Sequence, residues 1–249
     1  MGKRIMFFLS VSILILISLF SPNSVLAFVF ASWSDTQDNG VYSQNVAKKI
    51  ATLNPNLVIF TGDLEDTGFS TSEMNTMVKA INGDTTGTTS TGLFNKTFLA
   101  RGNHDNQRSG SATGWSDYLN NQLKATNLGI RNYTELDSDL TYSFDYDNSR
   151  FVAIDVPDGG FLTTRQVDWV GARLTDAETN HSELVHAFIY FHIPIYFAEK
   201  SYISSAKVQY FIQMTNNHPL LSAIFVGHIH QFHWYHIDSG KISGVTRHF

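Results

Sequence analysis

Apolar and polar residues alternate along the first hundred positions in a strand, helix, strand rhythm. Residues 28–33 and 57–61 are short apolar runs rich in aromatic and β-branched side chains, and between them Val46, Ile50 and Leu53 recur at helical spacing. A second helix over residues 72–80 precedes another short apolar run at 96–100, which predicts a third strand. Strands separated by helices predict a parallel sheet. Residues 83–92 are almost wholly Gly, Thr, Ser and Asp, and residues 106–114 are similar; such stretches cannot bury a face and are read as surface loops.

The rhythm changes further on. Residues 141–146 and 150–156 flank the polar pair Asp147-Asn148, which predicts an antiparallel hairpin. Thr163 and Gln166 fit a capping box, and Val167, Val170, Leu174 and Ala177 then fall on one helical face. A strand at 187–191, a helix at 204–214, a strand at 222–226 and a closing hairpin around Asp238-Ser239-Gly240 complete the pattern. The fold class is α/β, a mixed sheet system flanked by helices.

The N-terminus changes the picture of where the chain works. Lys3 and Arg4 lead an apolar run over residues 5–20, which ends in Val25-Leu26-Ala27. That layout reads as a cleaved secretory signal over residues 1–27, with residues 28–249 as one domain. The run is broken by Ser10, Ser12 and Ser18 and falls short of the roughly 20 apolar residues a spanning helix needs. No membrane contact beyond this signal is expected, and the protein is expected outside the cytoplasm.

Composition narrows the chemistry. There is no cysteine, so thiolate catalysis and Cys-type zinc sites are excluded, and any metal must sit on His, Asp, Asn or similar groups. Without Lys3 and Arg4 the chain carries 15 basic against 22 acidic residues, which disfavours a stable nucleic-acid partner. A small anionic substrate stays compatible, because bound cations dominate the field around them. Nothing in the sequence specifies an oligomeric state.

The residues just past each predicted strand carry the candidate chemistry. They are Asp35, Gly62-Asp63, Gly102-Asn103-His104-Asp105, His192 and Gly227-His228-Ile229-His230. Carboxyl ends of strands line one edge of an α/β sheet, so these oxygen and imidazole groups are predicted to converge. A glycine at a strand end lets the backbone turn sharply and sets the next side chain against an ion. An extended segment would send His228 and His230 to the same side. Taken singly, an Asp at a strand end is usually a cap or turn former; the ordered set is what points to a metal.

In that order the blocks resemble the calcineurin-like metallophosphoesterase superfamily, from Asp35 to His230. The resemblance implies a four-layer α/β/β/α sandwich with two central mixed β-sheets and a dinuclear metal centre. Asp63 would bridge the two ions, Asp35 and His230 would hold the first, and Asn103, His192 and His228 the second. The ions, divalent or trivalent and drawn from manganese, iron, zinc or magnesium, would supply a hydroxide nucleophile for a small phosphate-ester substrate, monoester or diester. His104 would assist the leaving oxygen, oriented by Asp105, a role that suits imidazole because it titrates near neutrality.

The chain departs from the family at three places. The first block commonly reads Asp-x-His, whereas here it is Asp35-Thr36-Gln37, so Gln37 would offer an amide oxygen and lean the site toward manganese or magnesium. The purple acid phosphatase branch, which is partially similar, also lacks that His but has a Tyr where this chain has Asp66, so no tyrosinate-iron colour is expected; Asp66 itself reads as a loop cap. Family members commonly run further past the last His than Phe249, which leaves a truncated C-terminus open. These departures set up an alternative reading, a secreted metal- or ligand-binding protein that kept the scaffold and lost turnover. Arg101 and Arg108 flank the Gly-Asn-His-Asp block; either is placed to grip phosphate, but a solvated surface Arg is the commoner case.

Overall fold

The computed structural model describes residues 28–37, 40–83, 91–107, 113–117, 128–136, 140–156, 162–195 and 205–230, and the backbone of 232–238 and 241–247. The predicted leader, Arg108 and most of the 83–92 loop lie outside these residues.

Three strands, β1 (Phe30–Trp33), β2 (Leu57–Thr61) and β3 (Thr97–Ala100), form a parallel sheet in the order β1-β2-β3. All three are buried along their whole length, the mark of strands covered on both faces. Helices α1 (Gly40–Ala51) and α2 (Thr71–Ile81) cover one side through Ala47, Ile50, Met74, Met77 and Ile81. Five more strands, β4 (Arg131–Glu135), β5 (Tyr142–Tyr146), β6 (Ser149–Ala153), β7 (His186–Tyr190) and β8 (Leu221–Phe225), form a mixed sheet in sequence order. Pairing is antiparallel from β4 to β6 and parallel from β6 to β8. Helices α3 (Thr164–Asn180) and α4 (Ser205–Asn216) lie on its outer face. Strands β9 (Phe232–Asp238) and β10 (Lys241–Arg247) pair as the predicted closing hairpin.

The period-2 geometry of strands sorts the second sheet's side chains between two cores. Phe151 and Ala153, Phe188 and Tyr190 face the first sheet, while Val152 and Ile154, Ala187 and Ile189 face α3 and α4. An irregularity between β7 and β8 shifts the register so that Ala187 pairs with Leu221 but Phe188 with Ala223. The extra residue, Ser222, flips the alternation, so Leu221 and Ile224 both reach the helix face while Ala223 and Phe225 face inward. Between the sheets the contact is aromatic, with ring centroids 4.9 Å apart for Phe30 and Phe188 and 4.2 Å for Phe98 and Phe144. Each such fully buried ring stabilises the fold by about 2–3 kcal/mol relative to exposure.

Helix α3 begins as the sequence predicts. Thr163 Oγ1 accepts from Gln166 N–H, and Gln166 Oε1 accepts from Thr163 N–H, a reciprocal capping box. Val167, Val170, Leu174 and Ala177 are its buried residues. Strand β4 is an addition to the predicted elements. Its residues, Arg-Asn-Tyr-Thr-Glu, are exposed or half-buried throughout, so no apolar alternation announces it and backbone pairing with β5 alone defines it. Among the described residues no helix is long and apolar enough to cross a membrane.

Candidate metal centre

Every parallel strand of both sheets ends at the same rim, and the predicted residues follow those ends. Asp35 comes after β1, Asp63 after β2, Asn103 and His104 after β3, His192 after β7, and His228 and His230 after β8. Backbone bonds lace the turns together: Asp35 N–H donates to Gly62 O at 3.0 Å and Gly227 N–H to His192 O at 2.8 Å. The two sheets meet where His192 Nδ1 donates to Thr61 O at 2.8 Å.

That last bond holds a proton on Nδ1, so in the neutral ring the lone pair is on Nε2. His192 is fully buried, and its Nε2 stands 3.0 Å from Asp63 Oδ2 and 3.1 Å from Asn103 Oδ1. Asn103 Oδ1 also lies 2.9 Å from His228 Nδ1. With the ring nitrogens unprotonated, lone pairs face lone pairs here, and either a proton or a cation among them relieves the repulsion. Asp63, His192 and His228 offer ligand atoms that all lie within 4.8 Å of one another. Burial disfavours a charged His192, yet its bond to Asp63 and the charges of Asp35 and Asp63 push it up to about 9. Burial likewise opposes the charge of Asp63, but its hydrogen bond with His192 holds its carboxyl below the usual range.

A second group shares Asp63. Asp35 Oδ1 is 3.3 Å from His230 Nε2 and 2.9 Å from the N–H of His228, and Ser34 Oγ also bonds its carboxylate. The bond to Asp35 raises the pKa of His230, whereas burial and then the neighbouring His192 lower that of His228. The Gln37 amide lies 3.4 Å from Asp63 Oδ2 with its nitrogen inward; a rotation about the terminal bond presents its oxygen instead. All seven predicted ligand candidates therefore come together, in two groups joined at Asp63. The donor set is oxygen and imidazole only, which fits divalent first-row ions or magnesium.

The glycines act by closeness. A Cβ on Gly62, whose φ is +98°, would stand 2.6 Å from His192 Nδ1, and one on Gly102 would stand 2.2 Å from Asp63 Oδ1. Five non-glycine residues of the site, Asp35, Gln37, Asp63, His228 and His230, have positive φ, between +43° and +79°. Such backbone costs of order 1 kcal/mol each and gathers where a site overrides local preference. It also corrects the extended reading of Gly227 to His230. That segment is a tight turn in which His228 serves one ligand group and His230 the other.

A second correction concerns His104. Asp105, fully buried, accepts N–H bonds from Asp63, Gly102 and Glu65 at 2.9, 2.8 and 2.8 Å, so it shapes the turns and does not orient His104. Burial and then the charge of Asp63 push Asp105 up to about 7, opposed by the Glu65 and Gly102 donors. The groups around the His104 ring nitrogen are Asp66, read from the sequence as a loop cap, and Gln107, whose Nε2 lies 3.1 Å from Nδ1. His104 Nδ1 lies 3.0 Å from Asp66 O and 2.9 Å from Asp66 Oδ1, while its own N–H donates to Asp63 Oδ1 at 2.9 Å. No pattern in the sequence announces that pairing. Arg101 is likewise not a surface residue: it is 3% exposed, bonds Asp155 through two nitrogens at 2.9 and 2.7 Å, and reaches Asn106 Oδ1 at 2.6 Å. Its donors brace the turn that carries Asn103 and His104.

Residues 30–232 match the family model described as calcineurin-like phosphoesterase. A dimetal phosphatase from Danio rerio superposes with a TM-score of 0.61 at 14% identity, over 96% of this chain and 85% of that one. A purple acid phosphatase from yellow lupin (Lupinus luteus) seeds gives 0.52 at 14% identity, over 94% of this chain but only 39% of that one. At such identities the likeness establishes the fold. No curated protein sequence matches the chain.

Proposed function

Because the chain belongs to the calcineurin-like phosphoesterase family, whose members are metal-dependent phosphoester hydrolases, we propose that it hydrolyses a small phosphate ester at a two-cation centre. The observation that supports this reading is the convergence of Asp63, His192 and His228, whose ligand atoms lie within 4.8 Å of one another, with Asn103 Oδ1 beside both imidazoles. In this reading Asp63 joins two cation positions, with Asp35, Gln37 and His230 around the first and Asn103, His192 and His228 around the second. When bound, two divalent cations neutralise phosphate oxygens and make water reactive at neutral pH.

The chain's own groups do the rest. Thr61 O and Asp35 hold the His192 ring and the His228 backbone, so the ligand atoms are set before any ion arrives. Asp66 fixes the ring of His104 through Nδ1, which leaves Nε2 to hand a proton to the departing oxygen. The His104 side chain is 30% exposed, so a substrate can reach it. Residues 1–27 act in this proposal as a cleaved export leader, which N-terminal sequencing of the exported protein checks.

Turnover of nitrophenyl phosphate mono- and diesters with manganese, alongside metal content, tests the function. The wild type is expected to show metal-dependent hydrolysis, Asp63→Ala to lose metal and activity together, and His104→Ala to keep metal but slow by about 10²–10⁴-fold. Unchanged activity in both variants, or bound metal with no turnover by the wild type, overturns the proposal.

A further inference from the structure

Beside the first ligand group lies a pocket of about 270 Å³ with two unlike walls. One is the turn after β1, with Asp35 and Gln37, together with His230; the other is the face of α1 that carries Tyr42 and Val46. Four-residue spacing puts those two on the same side of the helix. Tyr42 is 70% exposed, and among the described residues no hydrogen bond or ring contact engages it. An exposed aromatic alone is ordinary, but this one stands over a concavity that opens next to the ligand carboxylate Asp35.

Asp35, Gln37 and His230 in this lining belong to the first ligand group, and two of the other polar side chains are engaged. The Ser34 hydroxyl is spent on the Asp35 carboxylate and the Thr36 hydroxyl on Leu64 O at 3.0 Å. On the side away from that group the wall is the Tyr42 ring and the Val46 side chain, which favours a flat, weakly polar group there. Size limits it further: a cavity of about 150 Å³ suffices for one benzene ring, and pockets for drug-sized ligands begin near 300 Å³. The space therefore accommodates one ring system.

We propose that this pocket binds a planar aromatic group carried by the phosphate ester, with Tyr42 as its stacking wall, so that aryl or nucleoside phosphates are the substrate class. The inference rests on the reading that the neighbouring ligand groups bind phosphate.

Phosphonates, which the enzyme cannot hydrolyse at phosphorus, separate binding from turnover. Calorimetric titration of manganese-loaded protein would compare methylphosphonate, phenylphosphonate and a nucleoside phosphonate in wild type, Tyr42→Ala and Tyr42→Phe. In the wild type the aromatic ligands are expected to bind about tenfold more tightly than methylphosphonate. Tyr42→Ala removes that preference, Tyr42→Phe keeps it, and methylphosphonate affinity is the same in all three. Preference for phenyl over nucleoside phosphonate, or the reverse, tells which aromatic source the pocket serves. Equal affinities in the wild type, a preference that survives Tyr42→Ala, or no binding of any phosphonate overturns the pocket. Ring preference without ester turnover would leave the pocket standing and overturn the hydrolase reading alone.

Discussion

Gly102→Ala is the sharpest single perturbation of the centre. Gly102 does not have left-handed backbone, so the requirement there is space and not dihedral freedom. An added Cβ would stand 2.2 Å from Asp63 Oδ1, 2.4 Å from Asp63 N and 2.9 Å from Asp63 Cγ. Non-bonded carbon contacts relax near 3.5 Å, so Asp63 must retreat by about 1 Å. Its backbone must shift although its N–H is bonded to Asp105 at 2.9 Å, and the carboxylate must also leave His104 N–H and His192. Overpacking of this kind costs about 1–3 kcal/mol, which for a domain of this size lowers Tm by roughly 2–12 °C. A 1 Å misplacement at a reacting centre costs about 10²-fold in rate. The assay is steady-state turnover of nitrophenyl phosphate with manganese, with a thermal melt and metal content on the same preparation. Gly40→Ala is the control, since its Cβ meets nothing within 4 Å, and both rate and metal content should hold. Wild-type turnover and full metal content in Gly102→Ala would refute the reasoning.

Two further outcomes test other parts of the structure. Asp66→Asn keeps the shape of the loop but removes the carboxylate beside His104, so kcat should fall by about 10²-fold while metal content stays unchanged; a wild-type kcat would remove Asp66 from any positioning role. Arg150 and Asp145 form a buried pair at 2.7 Å near the start of β6, at the end of the strand away from the ligand rim, and Arg150 also reaches Asp176 on α3. Arg150→Ala leaves the buried Asp145 uncompensated and should cost about 3–5 kcal/mol, read by denaturant titration, whereas Arg150→Met with Asp145→Leu recovers most of it. A loss below about 1 kcal/mol in the single variant would show that the pair is not what ties α3 to the sheet.

What the sequence disclosed divides along physical lines. Strands β1 and β2 and the α3 capping box are local: burial on both faces leaves continuous apolar runs, and a reciprocal cap needs residues only three apart, Thr163 and Gln166. Strand β4 was hidden because its polar residues take their structure from β5. The ligand candidates were legible because each follows a strand end, several after a glycine that makes room for it. The Asp66–His104 contact was not, since it depends on the path of two turns 38 residues apart. Arg101 looked like a surface residue because its partner, Asp155, is 54 residues away. The left-handed backbone at His228 and His230 has no signature in composition, and it turned a predicted extended clamp into a turn that serves both ligand groups.

The central claim is that Asp63 stands between two cations. Crystals grown with manganese and measured at its absorption edge test it directly. Two anomalous peaks about 3.5–4 Å apart on either side of Asp63 are predicted, one beside Asp35 and His230 and the other among Asn103, His192 and His228. A map with no peak within bonding distance of Asp63 would contradict the account.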